Sequence, residues 1–363
     1  MGSSLQAYAM ARFIKDAGYE CLIIDYDEYS GHFIWKVRPF VENILWSIVK
    51  HLPLKEHIGR FPYLLARNQQ YKRFSQFEQD YLPLTSQKYH NIKQLVELYH
   101  DFDALICGSD QIWCPLLFDP VYFFSFLPPC SSVRTIAYAP SIGISNISLI
   151  DKKQVALMNN IDYVSCRELQ GSEMIEKLTG RKVPVVLDPT LMVSADSWSA
   201  LAKPVKSLKD TPYLLCYFLG KNVHQSYINE LSKRLQCKIV NIRMFNRFNN
   251  LEADFQLTDV GPSEFLALIK DANWICTDSY HGTIFSFIFQ KRISVFERFK
   301  ASERDNQNSR IYTILKNFEF QKALVLSDED YVNIEQDFYS DINLMLLHKW
   351  QELSLDFIKK ALE

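Results

Sequence analysis

The sequence has no long apolar run and little net charge, and these absences exclude several classes of protein. None of its apolar stretches reaches the length of about 18 residues that a membrane-spanning helix needs. A formal net charge of −2 is not the basic excess of nucleic-acid-binding proteins, so no nucleic-acid partner is expected. The first residues do not join a basic region to an apolar stretch, so no secretory signal is expected either.

The cysteines likewise show no metal-binding or disulfide pattern. None of the eight belongs to a Cys-x-x-Cys pair, and four lie in apolar runs that we predict to be buried strands: Cys21, Cys107, Cys216 and Cys276. Thiols in such positions behave as small hydrophobic side chains. We therefore expect no bound metal and a reducing, cytoplasmic location.

The length of the chain and the spacing of its apolar runs predict an α/β protein with two domains. With 363 residues, 48% of them hydrophobic, the chain is long for a single core. Short apolar runs alternate with amphipathic stretches, as in parallel sheets covered by helices. We predict two Rossmann-like domains in a GT-B-like arrangement, residues 1–196 and residues 197–363, the second with a helical tail. The polar stretch 197–210 is interpreted as the linker.

The predicted strands and helices locate the places where a ligand would bind. The strands are Cys21–Tyr26, Ala104–Ser109, Thr135–Pro140, Tyr163–Arg167, Pro184–Asp188, Tyr213–Leu219, Lys238–Arg243, Trp274–Thr277 and Ile293–Glu297. Helices are predicted over Leu5–Ala17, His224–Gln236 and Pro262–Asp271. Ligands of open α/β sheets bind beyond the carboxyl ends of the strands, where helix starts present backbone NH groups. The residues that follow strands are therefore the candidates for function.

A basic, helical insertion is predicted in the first domain at about residues 36–100. Apolar residues at helical spacing over Phe40–Leu52 would line one face of a helix. Eight Lys or Arg side chains lie between Lys36 and Arg73, against two glutamates. A basic amphipathic helix can bind an anionic membrane surface peripherally, here the inner face. The alternative is an ordinary helix that packs on its own domain.

The first strand-to-loop junction, Gly108–Trp113, carries side chains suited to a sugar. Its glycine lets a ligand approach the backbone. Ser109, Asp110 and Gln111 can exchange hydrogen bonds with sugar hydroxyls, and Trp113 can stack on a sugar face. The alternative is a capped turn with a buried tryptophan.

The second junction places Arg167 at the end of a buried strand. A buried arginine needs a partner, because an unpaired charge is costly in an apolar interior. Its guanidinium fork suits a phosphate or carboxylate ligand. The alternative partner is Glu168 or another carboxylate of the protein.

The third junction, Thr277–Thr283, places a histidine at the start of an apolar helix. There His281 can donate to a bound anion or transfer a proton near neutral pH, with Asp278, Ser279 and Gly282 beside it. The alternative is a structural histidine. Further along, Arg310 belongs to a basic group that can close over an anionic ligand, or that belongs to a solvated loop.

Six short motifs, taken in order, resemble the polysaccharide pyruvyl transferase family. They are Gly2–Ala9, Gly108–Trp113, Ser165–Glu168, Leu187–Thr190, Asp278–Thr283 and Asn308–Ile311. The resemblance implies a GT-B-like fold, phosphoenolpyruvate as the donor, and a surface glycan or lipid-linked oligosaccharide as the acceptor, with residues 1–196 on the acceptor side. It implies that a pyruvyl ketal forms on the sugar with release of phosphate, without a metal or other cofactor. Arg167 would clamp the donor and His281 would transfer a proton.

Two features depart from the family pattern. Some relatives carry an arginine two residues before the histidine, where this chain has Ser279, so that Ser279, Arg298 or Arg310 would contact the phosphate instead. Relatives also begin with a buried strand before the Gly-Ser-x-Leu-Gln motif, so we expect the first strand to be missing from this sequence. Two other functions remain open: a GT-B glycosyltransferase that uses a nucleotide sugar, and a non-catalytic glycan-binding protein.

Overall fold

The computed structural model describes residues 1–26, 60–96, 98–129, 131–243, 250–300, 303, 306–327 and 339–363, with only the backbone for 60–67. Every strand pair within these ranges is parallel, so the predicted α/β class is confirmed. The basic helix predicted at Phe40–Leu52, and with it the membrane contact, lies outside the described residues. Among the described helices, none combines the length and apolar character that crossing a membrane requires.

The first half of the chain builds two small sheets. One contains β1 (Ile23–Tyr26) and β2 (Leu84–Tyr89), and the other has the order β3-β4-β5, made of Ala104–Cys107, Arg134–Ala137 and Tyr163–Val164. The helices of this half are α1 (Gly2–Asp16), α2 (Arg60–Tyr81), α3 (Lys152–Asn159), α4 (Leu169–Thr179) and α5 (Ala195–Leu201).

The second half builds a six-stranded sheet with the order β11-β10-β9-β6-β7-β8. Its strands are β6 (Tyr213–Tyr217), β7 (Lys238–Ile242), β8 (Phe255–Leu257), β9 (Trp274–Thr277), β10 (Ile293–Phe296) and β11 (Leu324–Val325). Its helices are α6 (Gln225–Leu235), α7 (Pro262–Asp271), α8 (Tyr280–Ile288) and α9 (Ser309–Asn317). The central strands β6 and β9 are buried along their whole length, because helices cover both faces of a parallel sheet.

Two predicted strands of the first half differ from the structure. The strand β5 ends at Val164, so Arg167 lies beyond it in a loop. The stretch Pro184–Asp188 adds no full strand and makes a single bridge, between Cys166 and Val185. Both segments run beside the sheet edge, but they are too irregular to continue its hydrogen-bond ladder.

The stretch predicted as a linker, residues 197–210, is more ordered than expected. It contains the end of α5 and a 3₁₀ turn at Lys206–Leu208. Its aromatic side chain, Trp198, is fully buried and donates from Nε1 to the carbonyl of Thr190. The boundary after residue 196 stays a prediction.

A last helix, α10 (Asp341–Leu362), returns from the second half to the first. Its residues Ile358 and Ala361 are fully buried in a core that includes Met10, Phe13 and Tyr138. In the opposite direction, α1 contributes side chains to the large core around the six-stranded sheet. The two α/β halves, with the crossing helix, form the GT-B-like arrangement that the sequence predicts.

Candidate functional site

Four of the described helices begin around one buried cluster of polar side chains. Ser3, at the start of α1, donates to Asp110 at 2.9 Å. Glu168 is the residue before α4, and His281 and Arg310 are the second residues of α8 and α9. The first turn of a helix presents free NH groups and the positive end of the helix dipole. The cluster therefore favours a negatively charged ligand, and it brings the three predicted junctions together.

Arg167 is the central cation of this cluster. Its side chain is 1% exposed, and its Nη1 lies 2.7 Å from Oδ2 of Asp188. Its Nη2 lies 3.7 Å from Oδ1 of Asp110, and the guanidinium stands over the Tyr280 ring at 4.2 Å. Burial acts to lower the pKa of Arg167, but Tyr280 and the surrounding carboxylates outweigh it and raise that pKa. Arg167 therefore stays charged, with a carboxylate of the protein as its nearest partner.

Asp188 is the member of the cluster to which the sequence assigned no role. Its Oδ2 also accepts from Ser109 Oγ at 3.0 Å, and its Oδ1 accepts from the backbone NH and the hydroxyl of Thr190. Burial acts to raise the pKa of Asp188, but His281 and Arg167 outweigh it and lower that pKa. The available signal was its place in the Leu-Asp-Pro-Thr motif, directly after an apolar run.

His281 lies at the start of α8, as predicted. The cap residue Ser279 accepts from the NH of Gly282 at 3.3 Å, which begins the helix there. Nε2 of His281 is 3.8 Å from Oδ2 of Asp188, and a Cβ added to Gly2 would overlap Nδ1, so the ring packs against α1. Burial lowers the pKa of His281, although Asp188 and Asp110 act to raise it. The burial of the ring therefore favours its neutral form.

Asp110 is the carboxylate of the cluster that solvent reaches. Its side chain is 27% exposed, against 3% or less for those of Asp188, Glu168 and Asp278. Burial acts to raise the pKa of Asp110, but His281 and Arg167 outweigh it and lower that pKa to about 2. A hydroxyl group that enters the cluster can therefore reach an ionised Asp110 first.

Several buried atoms of the cluster make no hydrogen bond within the described chain. They are Nε and Nη2 of Arg167, Oε2 of Glu168 and Nε2 of His281. Buried polar atoms of folded proteins are bonded in most cases, because an unmade hydrogen bond is costly. These four atoms can therefore form hydrogen bonds with a ligand. Three of them belong to the predicted site residues Arg167 and His281, and the fourth belongs to Glu168, next to Arg167.

Arg310 is held by one neutral residue. Its Nε and Nη2 donate to the backbone oxygen and to Oε1 of Gln307, at 3.2 and 2.9 Å. Gln111 donates from Nε2 to the same Oε1 at 2.8 Å. No carboxylate of the described residues forms an ion pair with Arg310. Burial, with repulsion from Arg167 and Arg298, lowers the pKa of Arg310 to about 10.

Trp113 does not reach the surface of the cluster. Its side chain is fully buried, its Nε1 donates to the carbonyl of Tyr122 at 3.3 Å, and its ring stacks on Phe123 at 5.2 Å. The predicted role in sugar stacking does not fit this placement. The alternative reading of a buried tryptophan describes what is observed.

Asp278 and Gly282 shape the junction after β9. The carboxylate of Asp278 accepts from the backbone NH groups of Leu219 and Gly220 at 2.7 and 2.6 Å, so it fixes the loop after β6. A Cβ at position 282 would lie 2.6 Å from Oγ1 of Thr277, so that only glycine fits without movement. Within the described residues, no group of three or more His, Cys, Asp or Glu side chains is arranged to hold a metal ion.

Comparisons with known proteins give distant likenesses in structure and one family in sequence. UDP-GlcNAc 2-epimerase of Neisseria meningitidis is 10% identical, with a TM-score of 0.47 over 98% of this chain and 96% of that one. The enzyme of that name from Methanocaldococcus jannaschii is 12% identical, with a TM-score of 0.45 over 96% of each chain. No curated protein matches the chain by sequence. The family model described as polysaccharide pyruvyl transferase matches residues 1–298, and the chain belongs to that family.

Proposed function

We propose that the protein transfers the pyruvyl group of phosphoenolpyruvate to two hydroxyls of a glycan sugar, as a ketal, and releases phosphate. The observation that carries the proposal is the buried cluster at which four helices begin. Arg167, His281 and Arg310 meet there, and several donors remain unbonded. Phosphoenolpyruvate is small and carries a phosphate and a carboxylate, which match helix N-termini and guanidinium groups. Membership of the family supports the type of reaction.

Arg310 is the residue that we assign first to the donor. Arg167 is already paired with Asp188 at 2.7 Å, whereas the partners of Arg310 are the two oxygens of Gln307. A buried guanidinium with neutral partners gains more from a bound anion than one that a carboxylate already neutralises. Arg167 then contributes its unbonded Nε and Nη2 to the second anionic group.

His281 and Asp110 are assigned to the proton transfers. His281, once protonated, donates a proton to C3 of the donor, and the positive character at C2 draws the first sugar hydroxyl. That hydroxyl loses its proton to Asp110, the most exposed carboxylate of the cluster. The C2–O bond to phosphate then breaks and the second hydroxyl replaces it. Asp110 then returns its proton to His281, which replaces the one given to the new methyl group, and the proton of the second hydroxyl leaves with the phosphate, so the reaction balances without a cofactor.

The nucleotide-sugar alternative is disfavoured by the loop after β6. In open α/β sheets a diphosphate binds to the NH groups that follow a strand and begin a helix. Here the NH groups of Leu219 and Gly220 are occupied by the carboxylate of Asp278. A nucleotide diphosphate at this place would have to displace a buried carboxylate.

Calorimetric titration with phosphoenolpyruvate and with UDP-GlcNAc tests the proposal. We expect phosphoenolpyruvate to bind, and to bind about 10- to 100-fold more weakly to His281→Gln and Arg310→Gln, because each variant loses a hydrogen bond to a charged group. The control is Arg234→Gln, which removes an exposed guanidinium paired with Glu230 at 2.8 Å. Preferential binding of UDP-GlcNAc would refute the proposal. With phosphoenolpyruvate bound, phosphate release in the presence of a panel of methyl glycosides identifies the acceptor.

The cellular setting follows from the same proposal. The acceptor is a glycan of the surface, capsule or exopolysaccharide, free or as a lipid-linked oligosaccharide. Phosphoenolpyruvate is a cytoplasmic metabolite, which favours a cytoplasmic enzyme. Peripheral contact with the inner face of the membrane stays a prediction based on Phe40–Leu52.

A further inference from the structure

The side chain of Gln307 joins the two halves of the protein at the proposed donor site. Its Oε1 accepts from Nη2 of Arg310 at 2.9 Å and from Nε2 of Gln111 at 2.8 Å. Gln111 comes from the loop after β3 in the first half, and Arg310 from the start of α9 in the second half. A single neutral oxygen therefore holds two of the residues that the site would offer to its substrates.

The backbone on both sides of Gln307 is anchored independently of its side chain. The carbonyl of Asn306 accepts from Ser145 Oγ at 3.0 Å. The side chain of Asn308 accepts from the NH groups of Arg298 and Phe299, each at 3.2 Å, and donates to the carbonyl of Phe299. The Gln307 side chain is half-buried. It can therefore rotate away from Arg310 without any movement of the segment that carries it.

An anionic oxygen is a better partner for Arg310 than an amide oxygen. The guanidinium is charged with either partner, but only an oxyanion adds the attraction between opposite charges and can accept two parallel bonds from the guanidinium fork. The side chain of Arg310 is buried, and Arg167 and Arg298 lie near enough to repel its charge. A bound anion relieves that repulsion, and the amide of Gln307 does not.

We propose that Gln307 is a placeholder for an oxyanion of the donor, and that the donor displaces its side chain from Arg310. The same displacement releases Nε2 of Gln111, which is then able to bind a hydroxyl of the acceptor sugar. Donor binding therefore precedes acceptor binding. The inference rests on the proposed function for the identity of the donor, but the chemistry it requires is that of any phosphate or carboxylate oxygen.

The test is a calorimetric titration of phosphoenolpyruvate and of inorganic phosphate into three variants and the wild-type protein. Gln307→Ala removes the competing oxygen, so both anions bind about 2- to 10-fold more tightly. Gln307→Glu has almost the same shape but places a carboxylate on Arg310, so affinity falls by about tenfold or more. The control is Gln79→Glu, which adds the same charge on an exposed side chain of α2 that contacts Ser75. The affinity of this control variant for both anions should change by less than about twofold, because its added charge is screened by solvent.

The possible outcomes separate this inference from the proposed function. If phosphoenolpyruvate binds to the wild type but Gln307→Ala weakens it and Gln307→Glu has no effect, the placeholder is refuted and the proposed function stands. A purely structural role for Gln307 gives that result. If neither anion binds to the wild type but both bind to Gln307→Ala, the placeholder is supported. Binding to neither protein overturns the placeholder and the anion site together.

Discussion

Asp188→Asn removes the negative charge that holds Arg167 while it keeps almost the same side-chain shape. The two side chains are 0% and 1% exposed, and their atoms Oδ2 and Nη1 are 2.7 Å apart. In the variant, the buried guanidinium keeps its charge but loses its nearest counter-charge. We expect a large loss of stability and a disturbed cluster.

The expected magnitude follows from burial and from the number of hydrogen bonds. Removal of one partner of a buried ion pair costs about 3–5 kcal/mol. Asp188 also accepts from Ser109 and twice from Thr190, and an asparagine keeps only one accepting oxygen, so its NH₂ group would face donors on the other side. We therefore expect the upper part of that range, a large share of the roughly 5–15 kcal/mol by which proteins are stable.

Urea unfolding of the wild type and the variant measures the loss. The matched control is Asp16→Asn, because Asp16 pairs with Arg12 at 2.8 Å while both side chains are about half exposed. Such exposed pairs contribute about 0–1 kcal/mol. Similar losses in the two variants would refute the reasoning from burial.

The same ion pair also predicts how the folding stability changes with pH. The folded protein lowers the pKa of Asp188, since His281 and Arg167 outweigh the effect of burial. The unfolded chain therefore binds more protons at low pH, and the stabilisation is present above the ordinary aspartate pKa of about 3.9 and lost as the pH falls below it. The difference in stability between the wild type and Asp188→Asn should shrink in acid. A constant difference would contradict this account.

Two further predictions concern other residues of the site. Trp113→Phe should lower the unfolding free energy by about 1–3 kcal/mol, because the carbonyl of Tyr122 loses the indole donor and a small cavity forms. The calorimetric affinity for phosphoenolpyruvate should stay within about twofold of the wild type, because Trp113 does not line the site. A selective loss of affinity without loss of stability would return Trp113 to the binding site. Burial lowers the pKa of His281, although Asp188 and Asp110 act to raise it. A bound dianion favours the protonated ring, so the binding of sulfate should tighten as the pH falls from about 8 to 5. His281→Gln should flatten that profile, and an unchanged profile would show that another group takes up the proton.

Local signals predicted the elements around the site well. The helix α7 has its predicted bounds, because Pro262 occupies the first turn and the side chain of Glu264 accepts from the NH of Gly261. The strand β9 also has its predicted bounds, and His281 lies in the first turn of α8 as expected. Each of these bounds is set by contacts between residues a few positions apart, and such contacts can be predicted from a single sequence.

Contacts between distant residues were not predictable in the same way. Arg167 was expected to have a carboxylate or an anion as its partner, but nothing in the sequence distinguishes Asp188 from Glu168 or Asp110. Burial of Trp113 depends on Phe123 and Tyr122, whose loop folds back over it. The stretch Pro184–Asp188 is apolar enough for a strand, but its only β-bridge joins Val185 to Cys166, which lies beyond the end of β5. Hydrophobic periodicity describes a segment and not its neighbours.

The return of α10 to the first half has a practical consequence for dividing the protein. A fragment that stops after residue 196 would expose Met10, Phe13 and Tyr138 to water, because Ile358 and Ala361 cover them in the whole chain. Ser354 also accepts from the NH of Leu187 at 3.0 Å. Expression of the first half therefore needs α10 joined to it, for example through a circular permutation. A purification tag after Glu363 would emerge beside the first half, next to Arg134, and not beside the six-stranded sheet.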